Sequence, residues 1–200
     1  MLAEQTYFAL DLELNNASDN STPNPPIIQV GIAIGSWDDF ADNTIIKHKW
    51  YIDPHEPIFP FITELTGITD EDIMTKSVTH EQCAREIMAL VEQYQPYRNF
   101  VTWGGGDSAE LKQEFDDRNV EFKFGGHRWI DVKTWHTLFN LSEGKSTTGG
   151  LRSVMQGYKL KFIGTPHRAD NDALNTLRLF FTILDQQDRT NQLVQLAKTL

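Results

Sequence analysis

Three stretches within the first 53 residues have the composition of β-strands, and they confine the chain to folds built on a sheet. TYFALDLEL (6–14) alternates and is rich in aromatics, IIQVGIAIG (27–35) is an apolar run, and TIIKHKWYID (44–53) alternates again before a proline-rich segment. Between the first two lies NNASDNSTPNPP (15–26), a polar connection too long for a tight hairpin. Beyond residue 60 the period becomes helical. FITELTGITDEDI (61–73) reads as short helices broken at Gly67. Residues 79–95 set Ala84, Ile87, Met88, Val91 and Tyr94 on one stripe, with Thr79 as the cap. NFVTW (99–103) is a buried strand, followed by a glycine turn and a helix over 107–119. RWID (128–131) leads into a helix over 132–141, a Gly/Ser/Thr loop precedes a short helix over 151–158, and the last helix covers 169–186. Strands first, then alternating helices and strands, predict an α/β fold with a mixed sheet, antiparallel at first and parallel afterwards. Neither a repeat nor a compositional break divides the chain, so one domain over 1–200 is expected.

Composition removes several function classes. With 40% hydrophobic side chains, including 12 Phe, 5 Trp and 5 Tyr, the chain has the apolar volume for a packed core rather than disorder. No window approaches the ~18 apolar residues of a membrane span, and MLAEQT lacks the basic and apolar segments of a signal peptide. Cys83, the only cysteine, excludes an internal disulfide and a cysteine-rich zinc site. A cytoplasmic location without membrane association is the expectation. The net charge of −10 speaks against gripping nucleic acid with a basic surface. That objection lapses if the acids collect divalent cations.

Asp11 and Glu13 stand two apart in the first strand, which puts both carboxylates on one face and Leu10, Leu12 and Leu14 on the other. Paired acids on an exposed sheet face are ordinary. On an otherwise apolar strand, two like charges are costly unless a cation neutralises them. Asp107 follows TWGGG at a helix start, where an aspartate is a good cap. The glycines allow a sharp turn at the C-terminal edge of the sheet, where α/β proteins place their chemistry. In PHRADNDA (166–173), Asp170 is the simple cap of the last helix. Asp172 is then left without a purely structural role, and Leu179 and Ile183, seven and eleven residues on, mark its face as half-buried. His167 sits in the loop just before.

The ordered set Asp11-x-Glu13, Asp107 and His167-x₄-Asp172 resembles the signature of the DEDDh group of 3′→5′ exonucleases, which have a ribonuclease H-like fold. Within that group the chain looks most like the small exoribonucleases that trim histone-mRNA and small-RNA 3′ ends. PFITELTGITDEDI (60–73), TWGGGD (102–107), WIDVKTW (129–135) and GTPHRADNDALNTLRL (164–179) carry that likeness, which covers about residues 6–185. Two positions depart from it. Such enzymes usually have Thr or Ala after the glutamate, here Leu14, and often a bulky residue before the middle aspartate, here Gly106. Both positions lie near where the terminal nucleotide would sit.

The resemblance implies an α/β enzyme, a ribonuclease H-like mixed sheet flanked by helices, that hydrolyses single-stranded 3′ ends to nucleoside 5′-monophosphates, RNA favoured over DNA. It implies two Mg²⁺ or Mn²⁺ ions, hard cations suited to oxygen ligands. Asp11 would bridge both, Glu13 and Asp172 would hold the ion carrying the attacking water, and Asp107 would support the other. His167 would be the general base, since imidazole exchanges protons near neutral pH. Substrate contacts are expected at Leu14, at Leu65, Thr66, Gly67 and Ile68, and at Arg168; a helix-breaking turn and a surface arginine are the structural alternatives for the last five. Two other functions share the pattern. One is a DNA 3′→5′ exonuclease with the same site. The other is a non-catalytic nucleic-acid-binding module, disfavoured because unpaired buried acids are a costly relic.

Overall fold

The structure, a computed structural model, describes residues 4–125 and 128–199. The alternating stretches become strands: β1 (Tyr7–Leu14), β2 (Ile27–Gly35), β3 (Ile46–Ile52), the two-residue β4 (Ser77–Val78), β5 (Phe100–Thr102) and β6 (Trp129–Asp131). They form one sheet in the order β4-β3-β2-β1-β5-β6. β2 runs antiparallel to both β1 and β3, whereas β5 is parallel to β1, β6 to β5 and β4 to β3. This is the mixed sheet expected from the change of period along the chain.

Eight helices complete the described fold: α1 (Trp37–Asp42), α2 (Pro60–Thr66), α3 (Asp70–Lys76), α4 (His80–Tyr94), α5 (Asp107–Asp117), α6 (Val132–Ser142), α7 (Leu151–Gly157) and α8 (Ala169–Thr199). They cover both faces, so β2 is buried along its whole length. On one face Phe8, Leu10, Leu12, Val30 and Ile32 pack against Cys83 and Ile87 of α4 and Leu111 and Phe115 of α5. On the other, Ala9, Ala33 and Val101 meet Ala173, Leu177 and Phe181 of α8 and Met155 of α7. The second face carries the small residues, so α8 comes closest to the strands there. Each large apolar side chain fully buried in these layers contributes roughly 1.5–3 kcal/mol.

Local signals fix the helix ends. Thr79 caps α4 by accepting the Gln82 N–H at 3.1 Å, and Gly67 ends α2 at φ 68°. α1 is absent from the sequence reading; its signal is the reciprocal cap between Ser36 and Asp39. α8 runs past residue 186 to Thr199 because 186–199 contains neither Gly nor Pro. The connection 15–26 is pinned at its root. Buried Asn15 donates its N–H to Pro26 O (2.9 Å) and its side-chain amide to Glu56 Oε1 (2.8 Å), and accepts the Phe59 N–H (2.9 Å). Among the described residues no helix is long and apolar enough to cross a membrane.

Candidate active site

Antiparallel partners share a face of the sheet, and the register lines up two rows beneath α8. One is Asp11–Gly31–Lys49, the other Glu13–Gln29–Tyr51. The acids of β1 and the basic residues of β3 are therefore separated by the small or neutral residues of β2. The start of α8 rests on that middle strand. A Cβ at Gly31 would lie 2.0 Å from the Ala169 carbonyl carbon, and the Gln29 side-chain oxygen accepts the Ala169 N–H at 2.9 Å. The first turn of α8 straddles β2, and its two aspartates part company. Asp170 turns toward β3, with Lys47 at 2.6 Å and Lys49 at 4.0 Å. Asp172 turns toward β1, where one ligand atom each from Asp11, Glu13 and Asp172 all lie within 4.8 Å of one another.

Two expected caps are thereby corrected. Asp170 does not cap α8, because the lysines of β3 hold it in a buried ion pair. Asp172 instead accepts the Arg168 N–H at 3.2 Å, so one carboxylate both closes the helix end and faces the acids of β1. Asp107 is not a cap either. Gly106, at φ 134°, occupies that position without a side-chain bond, and Asp107 falls in the first turn of α5. The glycine loop that delivers it is tied on both sides. Thr102 Oγ1 donates to Gly104 O (2.6 Å), and the Gly104 N–H donates to Asp131 (3.0 Å), which also caps α6 through the Thr134 N–H (3.1 Å).

Burial and mutual repulsion push these acids toward their neutral forms. Asp11 is raised well above the usual carboxylate range, by burial first and then by Asp107, Glu13 and Asp172. Glu13 is pushed up to about 8 by burial, then by Asp172 and Asp107, with Arg168 opposing. Asp107 rises to about 7, through burial and then Glu110, while hydrogen bonding to its own backbone and that of Leu12 pulls it back. Asp172 is raised by burial against hydrogen bonds from the Arg168 and His167 backbone and the charge of the His167 ring. Four carboxyls that resist ionising together, with only hard oxygen donors, fit divalent cations: a cation removes the repulsion that holds the protons on.

His167 is exposed, at φ 58°, in the loop before α8. A non-glycine residue in this region is uncommon, although His is among those that tolerate it. The loop brings it to a cleft of about 790 Å³ that also receives Asp11, Glu13, Asp172, Leu65 and Trp103. Of the expected substrate contacts, Leu65 lines that cleft. Leu14 does not: its side chain packs against the apolar cluster on the opposite face of the sheet. Thr66 and Ile68 point inward, Thr66 bonding Ile62 O (2.7 Å) and the Ile68 N–H (3.0 Å). Gly67 and Arg168 hold one another, the guanidinium donating to Gly67 O (3.0 Å) and Tyr51 OH (3.2 Å). Sequence reasoning missed Gly31, Gln29, Lys47 and Asp131. A glycine inside an apolar strand is a signal of close backbone approach, and Lys47 and Lys49 share a face of β3 as the acids share one of β1.

A mixed sheet with converging carboxylates at the end of its central strand and a histidine at the rim defines a metal-dependent nuclease of the ribonuclease H-like fold. The chain belongs to the exonuclease family (RNase_T), whose model matches residues 8–180. It is 25% identical over 193 residues to the probable 3′-5′ exonuclease KapD of Bacillus subtilis (strain 168), covering 94% of this chain and 88% of KapD. A stretch of 96 residues, 48% of this chain, is 30% identical to the PolC-type DNA polymerase III of Streptococcus pyogenes (serotype M5, strain Manfredo), of which it spans 6%. Among solved structures, the nuclease domain of 3′hExo, a DEDDh family member bound to rAMP, superposes with a TM-score of 0.77. That match has 14% identity and covers 92% of this chain and 93% of that one.

Proposed function

We propose that the chain removes nucleotides one at a time from single-stranded 3′ ends, RNA in preference to DNA, and releases nucleoside 5′-monophosphates. The observation that carries this reading is the convergence of Asp11, Glu13 and Asp172 within 4.8 Å, beside a cleft that His167 also lines. Asp11, Glu13, Asp107 and Asp172 would hold two Mg²⁺ or Mn²⁺ ions, which when bound supply charge stabilisation at phosphorus and an acidified water. The chain's own residues do the rest. His167, exposed at the rim, takes the proton from the attacking water. Asp172 accepts the N–H of Arg168, the residue after His167, and so holds the loop that carries the imidazole. The cleft walls exclude a paired strand, because the scissile phosphate must descend to the end of β1.

The RNA preference is supported by the fold shared with 3′hExo, which was solved with rAMP. A DNA exonuclease with the same site is the second reading, favoured by the 96-residue likeness to PolC. Digestion of 5′-labelled RNA and DNA oligomers of matched sequence decides between them. Faster shortening of the RNA ladder is expected, equal or faster shortening of the DNA overturns the preference, and nucleoside 3′-monophosphate products overturn the mechanism.

A further inference from the structure

The cleft has two unlike walls. In the sheet order β3 and β5 lie on opposite sides of the β2–β1 pair, so the elements packed on them flank the acids. On the β3 side stands the end of α2, with apolar Leu65. Across the cleft stands α7, which packs on α8, shares with Val101 of β5 the apolar cluster that holds Val154 and Met155, and turns Arg152 and Gln156 to the cleft. These two are one helical turn apart and so share a face. Both are exposed, and neither side chain has a hydrogen-bond or ion-pair partner among the described residues. Among the described residues Arg152 is also the one lysine or arginine lining the cleft, and Arg168 is committed to Gly67 and Tyr51. On a chain of net charge −10, an unengaged guanidinium at an acidic cleft has no structural duty.

We infer that Arg152, assisted by Gln156, binds the phosphodiester on the 5′ side of the scissile one. This rests on the exonuclease reading and deepens it. Asp11, Glu13, Asp107 and Asp172 would hold the cations that serve the scissile phosphate. The next phosphate lies beyond their reach, and a planar guanidinium is suited to its two free oxygens. Phosphates then run along α7 and bases face the apolar wall at Leu65. The consequence is a length preference: a trinucleotide has the second phosphodiester, and a dinucleotide without a 5′-phosphate does not.

The test compares a dinucleotide and a trinucleotide of one sequence, both lacking 5′-phosphate, with full-length wild type, Arg152→Ala, Arg152→Lys and Gln156→Ala. Wild type is expected to favour the trinucleotide about tenfold in kcat/KM, the worth of one charge-assisted contact. In Arg152→Ala that ratio falls toward one, through KM rather than kcat, and Arg152→Lys recovers part of it. Gln156→Ala raises KM by a smaller factor. The salt dependence of equilibrium binding to a longer single strand, read by anisotropy in EDTA, loses about 0.7 from its logarithmic slope in Arg152→Ala, the share of one phosphate. A variant that keeps both the length preference and the salt slope overturns the assignment and leaves the exonuclease reading standing. Wild type that releases no 3′ nucleotide from either oligomer overturns both.

Discussion

Gly31→Ala is the substitution that most directly tests whether β2 sets the position of Asp172. The added Cβ would sit 2.0 Å from the Ala169 carbonyl carbon, 2.2 Å from the Asp170 nitrogen and 2.3 Å from the Ala169 oxygen. All three are backbone atoms, so no side chain can swing aside. Carbon atoms settle at about 3.5 Å, and 3.5 less 2.0 requires the start of α8 to retreat by roughly 1.5 Å. Asp172 moves with it, away from Asp11 and Glu13. The same retreat stretches the Gln29–Ala169 hydrogen bond (2.9 Å) and the Lys47–Asp170 ion pair (2.6 Å). Overpacking of this kind costs about 1–3 kcal/mol, and each weakened buried polar contact adds about 1 kcal/mol. A misplacement of ~1 Å in a catalytic group costs about 10²-fold. The expected variant is folded, melts several degrees lower and turns over about a hundredfold more slowly. Its rise in Tm on adding Mg²⁺ is also smaller. Wild-type turnover together with an undiminished Mg²⁺-dependent rise in Tm would refute the reasoning.

Other outcomes follow from the same geometry. Asp11→Asn should abolish turnover and most metal-induced stabilisation in a thermal shift assay, because an amide is a poor ligand for a hard cation. His167→Ala should lower kcat by about 10²–10⁴-fold while the metal-induced shift persists; loss of both would show that it acts by holding the site together. Lys47→Met should leave buried Asp170 with only the more distant Lys49 at 4.0 Å, destabilising by about 1–3 kcal/mol, and an unchanged denaturation midpoint would contradict that. The raised carboxyls also set a pH dependence. Folding lifts Glu13 to about 8 and Asp107 to about 7, so the folded state binds more protons than the unfolded chain above the ordinary carboxylate range. Metal-free stability should therefore be greatest at mildly acidic pH and fall as pH rises toward 8, by about 1.4 kcal/mol per pH unit for each such carboxyl. Divalent cations should reverse the trend, and a metal-free Tm that climbs from pH 5 to 8 would exclude it.

The three strands of the first 53 residues and the mixed character of the sheet were legible because those stretches alternate or are continuously apolar, and each survived into three dimensions. The acids of β1 were legible for the same reason, since a two-residue spacing on a strand has a single geometric meaning. What escaped was anything decided by a neighbour in space. Asp170 and Asp172 both look able to cap a helix, and only the lysines of β3, more than 120 residues earlier, decide between them. Leu14 is a different case: the alternation of β1 already sent it to the face away from the acids, and its expected substrate contact rested only on its place beside Glu13 in the family pattern. Asp107 follows three glycines, and the choice of Gly106 as the cap depends on a loop held by Asp131 from the next strand.

The division of charge across the sheet also explains how an acidic chain can build this site. Lys47 and Lys49 lie two strands from the acids, close enough to draw Asp170 away from Asp11 and Glu13. Without them, the first turn of α8 would present one more carboxylate, that of Asp170, to a cluster already pushed toward protonation. The start of α8 adds a second offset, because the positive end of its helix dipole lies beside the acids. Its leading N–H groups are engaged by Gln29 and by Asp172 itself, which fixes the helix end while leaving the remaining carboxylate oxygens of the cluster to face the cleft. The four acids are thus kept from a larger repulsion by residues outside the cluster, and β2, which carries no charge in this region, supplies the spacing that makes the separation possible.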